Sequence, residues 1–239
     1  AVDGPIPRCR VISPDQMDRH GLMMAGMTQD HPIFTESIRR IRELLGDTGL
    51  GALEQDVLER LVHSSGDPSI AELLRFSPGA CEAGLAALRA GAVILTDTEM
   101  AAAAVTPMAR RTLRSTVRTV LEWAPDQAPK GSTRTAEGIQ RAWSSLNENM
   151  SMPAPVVLIG SAPTALVRLL NTVAAGARPA SLIIGMPVGF VGVLASKARL
   201  AGSEQCQIRL EGTRGGAGLV GAAANALLRA AVTAPALLK

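Results

Sequence analysis

The sequence predicts an α/β protein: a three-layer parallel-sheet domain with helices on both faces, plus a helical N-terminal segment. Three observations predict it. Strand-like and helix-like segments alternate from residue 91 onward, the pattern of a parallel sheet with crossover helices. Two runs, Val156-Val157-Leu158-Ile159 and Leu182-Ile183-Ile184, are apolar without alternation, as strands covered on both faces are. Each run breaks at a glycine, Gly160 or Gly185, with Pro163 or Pro187 near the start of the next helical segment, and proline suits the first turn of a helix. Glycine turns at the carboxyl ends of parallel strands are where ligands bind in open α/β sheets.

Taken in order, residues 1–30 hold Pro5, Pro7, Pro14, Met17, Met23, Met24 and Met27 without a period. They read as an irregular extension or linker, and residues 31–239 as the α/β domain. Ile38, Ile41, Leu44 and Leu45 share one helical face after Pro32. Val57, Leu58 and Leu61 mark a helix from about Leu53 to His63, stopped by Ser64-Ser65-Gly66-Asp67-Pro68. A short helix is expected over Ile70–Leu74, then a helix from Pro78 to Arg89 begun by the cap and first-turn pair Ser77-Pro78. Gly91–Asp97 reads as a strand with a polar end, Thr98–Ala104 as helical, and Thr116–Leu121 as a strand. A Pro-rich loop, Ala124–Gly131, precedes a helix over Thr135–Asn149 that Pro153-Ala154-Pro155 breaks. Beyond the strand at 156, a helix is expected over Thr164–Ala175, a strand from 181, a helix over Val191–Leu200 and a strand over Gln207–Leu210. A glycine-rich turn, Gly212–Gly218, leads into a final helix over 219–231. No internal repeat of fixed period is visible.

Composition narrows the function. The chain has 239 residues, enough for a sizeable core. Aromatic residues are only 2%, with no Tyr. The core is therefore aliphatic, and the stacking platforms that single-stranded nucleic acid needs are scarce. The formal net charge of +3 admits an anionic ligand. The basic run Arg110-Arg111-Leu113-Arg114-Arg118 reads first as a solvated helix face. Cys9, Cys81 and Cys206 are widely spaced and odd in number. They suggest no disulfide framework and no metal site, and fit a reducing cytoplasm. No run reaches the ~18 apolar residues of a membrane span, and no secretory signal is evident.

Of the three histidines, His20 lies in the extension and His31 at the start of a helix. His63 closes an amphipathic helix, where a cation is favoured. Histidine is also the side chain best suited to general acid or base work near neutrality, so His63 is the catalytic candidate. Thr96-Asp97 at a strand end is a second candidate, with Asp97 reading equally as a helix cap. Arg134, after Ser132-Thr133, faces solvent or pairs with a carboxylate. The glycine turns match neither a P-loop nor a dinucleotide fingerprint, which weakens a nucleotide-binding reading.

These segments resemble the precorrin-8X methylmutase family of cobalamin biosynthesis, from about His31 to Ala231. The matching stretches are Arg60-Leu61-Val62-His63, Phe76-Ser77-Pro78, Gly91 to Met100, Thr133-Arg134-Thr135-Ala136, Gly160 to Leu166, Gly185 to Gly192, Ser196-Lys197 and Gly215-Gly216. The resemblance implies an isomerase that moves a methyl group from carbon 11 to carbon 12 of a corrinoid ring. The step is a 1,5-sigmatropic shift without external cofactor. It gives hydrogenobyrinic acid, or cobyrinic acid when cobalt is already present. It implies His63 as proton donor and Ser37, Arg60, Thr96, Asp97, Arg134, Gly189, Gly215 and Gly216 as substrate-binding positions. It further implies a corrinoid substrate and product and a homodimer in the cytoplasm. It admits neighbouring cobalamin-pathway enzymes as partners, with no nucleic acid and no membrane. The sequence departs from the family at Ser161 and Ala195, where Asn and Glu are usual, and in the final turn, usually Gly-Arg-Lys/Leu-Gly-Gly-Ser, where Thr213-Arg214 replaces the first pair and Ala217 the Ser. Those departures motivate the alternative reading, a non-catalytic corrinoid-binding or channelling protein.

Overall fold

Neighbouring residues along each buried strand feed two different cores, and that division sets the architecture. The computed structural model describes residues 31–233, so the extension read over residues 1–30 lies outside the described residues. The described residues from Glu36 onward belong to one compact unit. Strands β1 (Leu74–Phe76), β2 (Ile94–Thr96), β3 (Val117–Thr119), β4 (Val156–Ile159), β5 (Leu182–Gly185) and β6 (Gln207–Leu210) form one sheet. Its order is β1-β6-β5-β4-β2-β3. The β6, β5, β4, β2 and β3 neighbours pair in parallel, and β1 runs antiparallel to β6. The helices are α1 (Pro32–Leu45), α2 (Ala52–Ser65), α3 (Ala80–Arg89), α4 (Glu99–Arg111), α5 (Arg134–Leu146), α6 (Pro163–Ala174), α7 (Val193–Ala201) and α8 (Ala217–Thr233).

Ile94, Val156, Leu158, Leu182, Ile184 and Ile208 enter one core with residues of α2, α3, α4 and α8. Leu95, Val157, Ile159 and Ile183 enter the other with Ile139 and Trp143 of α5, Leu166 and Leu169 of α6 and Leu200 of α7. Successive side chains of a strand point to opposite faces. A continuous apolar run is therefore what a sheet between two helical layers requires. The three-layer expectation holds, with one antiparallel edge strand added to the parallel sheet.

The structure corrects four local readings. Residues Pro68–Glu72 form a 3₁₀ turn, and Leu74 begins β1. A three-residue edge strand carries too little pattern to be read without its distant partner. Ser77 does not cap α3, whose N-cap is Gly79. Its Oγ instead accepts the Gln207 N–H at 2.9 Å, extending the β1–β6 edge. Helix α4 runs on to Arg111 through Pro107. Pro107 lies on the exposed side, while Ala101, Val105 and Ala109 keep the buried stripe intact. In the basic run, Arg118 is taken up internally, pairing with Glu122 at 2.5 Å and lying over the Trp123 ring at 4.3 Å.

Helices α4 and α8 approach closely because α8 is built from small residues. A Cβ at Gly221 would lie 2.7 Å from the Ala104 Cβ. Gly221→Leu is therefore expected to destabilise the fold by about 1–3 kcal/mol through overpacking. The check is a lower urea midpoint at unchanged slope; an unaltered midpoint would contradict the close approach.

Candidate active site

From β2 the chain passes to β3 on one side, then returns to β4 on the other. The carboxyl ends of β2 and β4 therefore flank a topological switch point, where ligands bind in open α/β sheets. Asp97, the residue after β2, is fully buried there. Its Oδ2 accepts the N–H groups of Gly160, Ser161 and Ala162 at 3.0, 2.6 and 2.8 Å. Asp97 thus ties the turn after β4 to the end of β2. The side chain that caps α4 belongs to Thr98, whose Oγ1 accepts the Ala101 N–H. Burial pushes the Asp97 carboxyl above its ordinary range, against the pull of the three N–H donors. Thr96 is equally buried and donates its hydroxyl to the Thr98 carbonyl at 3.0 Å.

The turns after β4, β5 and β6 are stitched backbone to backbone. Val188 N–H donates to the Gly160 carbonyl at 3.1 Å, Gly216 N–H to Met186 at 2.9 Å, and Gly189 N–H to Thr213 at 3.1 Å. The approach leaves no space for side chains at two positions. A Cβ on Gly215 would lie 1.9 Å from the Met186 carbonyl oxygen, and one on Gly160 2.7 Å from the Ala217 nitrogen. Gly189 and Gly216 also hold positive φ angles of 131° and 123°. Outward from this seam, Phe190 and Val191 are 91% and 89% exposed.

His63 stands in the last turn of α2, which Gly66 ends in a left-handed conformation with its N–H on the Val62 carbonyl. The His63 Nδ1 lies 2.8 Å from the Ser37 Oγ of α1. The two helices are clamped together below this pair. Arg42 Nε and Nη2 donate to the two carboxylate oxygens of buried Glu59 at 2.7 and 2.9 Å, and Gln55 Nε2 donates to Oε1 at 2.9 Å. Arg60, one turn before His63, lies on the same helix face.

Two further side chains join His63's helix to the glycine seam. Arg214 Nη1 donates to Asp67 Oδ2 at 2.5 Å and to Ser69 Oγ at 2.6 Å. Lys197, buried in α7, donates from Nζ to the carbonyls of Gly212 at 2.7 Å and Arg214 at 2.5 Å. Arg134 is tied elsewhere on the carboxyl edge. Its Nε donates to the Pro125 carbonyl at 2.9 Å, and the neighbouring Thr133 Oγ1 lies 2.8 Å from Thr164 Oγ1 at the start of α6. At the opposite edge of the sheet, near the amino end of β6, Phe76, Ser77, Cys206, Gln207 and Arg209 line a separate cleft of about 530 Å³.

The structure thus joins Ser37, Arg60 and His63 on one wall, and Gly189, Gly215 and Gly216 in the seam that Arg214 connects to it. Thr96 and Asp97 lie beneath, enclosed by protein. Among the described residues no helix is long and apolar enough to cross a membrane. None of their His, Cys, Asp and Glu side chains form a group of three that could hold a metal ion.

A sequence profile of precorrin-8X methylmutase matches residues 32–230. The chain belongs to the precorrin-8X methylmutase family. It is 34% identical to a cobalt-precorrin-8 methylmutase of Synechocystis, covering 83% of this chain and 95% of that protein. It is 38% identical to a precorrin-8X methylmutase of Pseudomonas aeruginosa, covering 82% and 93%. The fold matches the crystal structure of the precorrin-8X methylmutase of Thermus thermophilus with a TM-score of 0.74. That match has 36% identity and covers 84% of this chain and 95% of that one.

Within this methylmutase chain, Arg214, Asp67 and Lys197 are linking residues that the sequence reading did not single out as site positions. Lys197 left a readable signal. It falls on the buried stripe of α7 with Val193, Ser196 and Leu200, where a cation needs a specific partner. Asp67 and Arg214 left none, since they are far apart in the chain.

Burial pulls the Lys197 ammonium down to about 8, from an ordinary 10.5. Between those values the unfolded chain binds more protons than the folded one. This residue's contribution to stability therefore grows as pH rises through that window. In urea unfolding at about pH 8 and about pH 10, the stability of wild type relative to Lys197→Met is expected to rise with pH. A flat or falling difference would contradict a buried cation here.

Proposed function

We propose that this chain is a cytoplasmic isomerase of cobalamin biosynthesis that moves a methyl group from carbon 11 to carbon 12 of precorrin-8 or its cobalt form. His63 is the proton donor. The observation that carries the reading is the His63–Ser37 pair at the end of α2, beside the glycine seam on the carboxyl edge of the sheet. In the imidazolium form both ring nitrogens carry protons. Nδ1–H then donates to the Ser37 Oγ, and the Nε2 proton is the one to lend to the macrocycle.

The net reaction breaks one carbon–carbon bond and forms another within a single molecule. Any proton lent by His63 must therefore return before the product leaves. Its role is to steer the conjugated ring toward the rearranged arrangement, work suited to a positioned acid. A substrate edged with carboxylates suits Arg60 and Arg134, because guanidinium matches carboxylate in a bidentate fork. The backbone N–H groups at the start of α6 are taken by Asp97, so the arginines are the groups left to meet the carboxylates. Relatives named cobalt-precorrin-8 methylmutase and precorrin-8X methylmutase match this chain at similar identity.

The test is an anaerobic absorbance time course with precorrin-8 and with its cobalt form. Wild type is expected to convert one of them to the rearranged corrin. His63→Ala is expected to bind the corrinoid with turnover reduced by about 10²–10⁴. Undiminished turnover in the variant would remove His63 from the mechanism. Binding without conversion by wild type would favour the corrinoid-carrier reading.

A further inference from the structure

We infer that Lys197 is the positioning residue of this site. Its ammonium clasps the Gly212–Arg214 turn, and the turn holds Arg214 on Asp67 at the end of the helix that carries His63. The inference rests on the reading of that face as the corrinoid site.

Lys197 occupies an expensive position. It is 3% exposed and sits where its neighbours on the stripe are Val193, Ser196 and Leu200. Taking an ammonium out of water is costly unless it is paired. Among the described residues no carboxylate lies within ion-pair distance of it. What it does hold is two carbonyls of one turn, Gly212 and Arg214. A hydrocarbon side chain would fill the same space without the desolvation cost, but it could not gather two carbonyl oxygens onto one point.

From that clasp the contacts run without a gap to the end of α2. Arg214 Nη1 donates to Asp67 and Ser69. Asp67 accepts the Ser69 N–H at 3.0 Å and donates its own N–H to the Ser65 Oγ at 3.1 Å. Ser65 Oγ donates to the Leu61 carbonyl of α2 at 2.9 Å. The same turn accepts Gly189 N–H on the Thr213 carbonyl, so the segment after β5 is held as well. Lys197 therefore sets the spacing between His63's wall and the seam without touching the ligand. Arg214, half exposed, is the link between the clasped turn and Asp67.

The test uses Lys197→Met, Arg214→Gln and the double variant. Lys197→Met is expected to raise KM about tenfold with kcat within about threefold, because it touches no reacting atom. If Lys197 acts through Arg214, the double variant is no worse than either single one, whereas independent sites add. Amide exchange, which needs no substrate, gives the second readout. Residues 212–216 and 66–69 are expected to exchange about tenfold faster in Lys197→Met, with the central strands unchanged. Additive KM effects, unchanged exchange, or equal acceleration across the sheet would each overturn the inference. Should Lys197→Met fail to fold, Arg214→Gln alone reads the outer half, and unaltered exchange at 66–69 overturns it. Absence of corrinoid turnover in wild type would count against the proposed function only, since the exchange result stands by itself.

Discussion

One carboxylate oxygen, Oδ2 of Asp97, gathers the N–H groups of Gly160, Ser161 and Ala162, and the functional edge of the sheet depends on it. Those donors sit at the start of α6, where backbone N–H groups lack helical partners. Left unmet in a buried position, each would cost about 1–3 kcal/mol. By meeting all of them, Asp97 closes the crevice between β2 and β4 from below. The turn after β4 becomes a fixed base on which the turns after β5 and β6 are laid. Glycine at 160 and 215 then lets backbone lie against backbone where side chains would collide.

On this base, the wall that bears His63 is attached by polar clamps. Buried Glu59 receives Arg42 in a fork, which fixes α1 against α2 and brings Ser37 to His63. Asp67 receives Arg214, which fixes the end of α2 to the glycine seam. The proposed function, holding a large carboxylate-edged ring while lending it one proton, calls for this division of labour. Rigid backbone would supply the seat in the proposed reading, and the Ser37-bonded imidazole of His63 the acid.

Much of the architecture was legible because strand and helix periods differ. The doubly buried strands betrayed themselves as unbroken apolar runs, and Gln207–Leu210 was placed at its observed bounds. Strand β1 was missed because Leu74–Phe76 gains its identity only from pairing with a strand more than a hundred residues away. The end of α4 lies beyond the expected Ala104 because the buried stripe Ala101, Val105 and Ala109 carries the helix through Pro107, a residue that by itself disfavours a helix interior. Asp97 was readable as a polar residue at a strand end, but its three donors belong to a segment that only the strand order brings near. His63 stands out in the sequence only as a candidate, from its position at a helix end, which the structure places in the last turn of α2. Its partner Ser37 came from family resemblance, because nothing local in the sequence joins the two helices.

The central claim is that the ligand sits on the carboxyl edge, with His63 at its rim. A crystal structure with the rearranged corrin product bound tests this most directly. The account predicts the macrocycle over the Gly189 and Gly215–Gly216 seam, with the His63 imidazole within hydrogen-bond reach of the ring and a carboxylate arm on an edge arginine. Product seated instead in the cleft beside Phe76 and Arg209, at the opposite edge of the sheet, would contradict it.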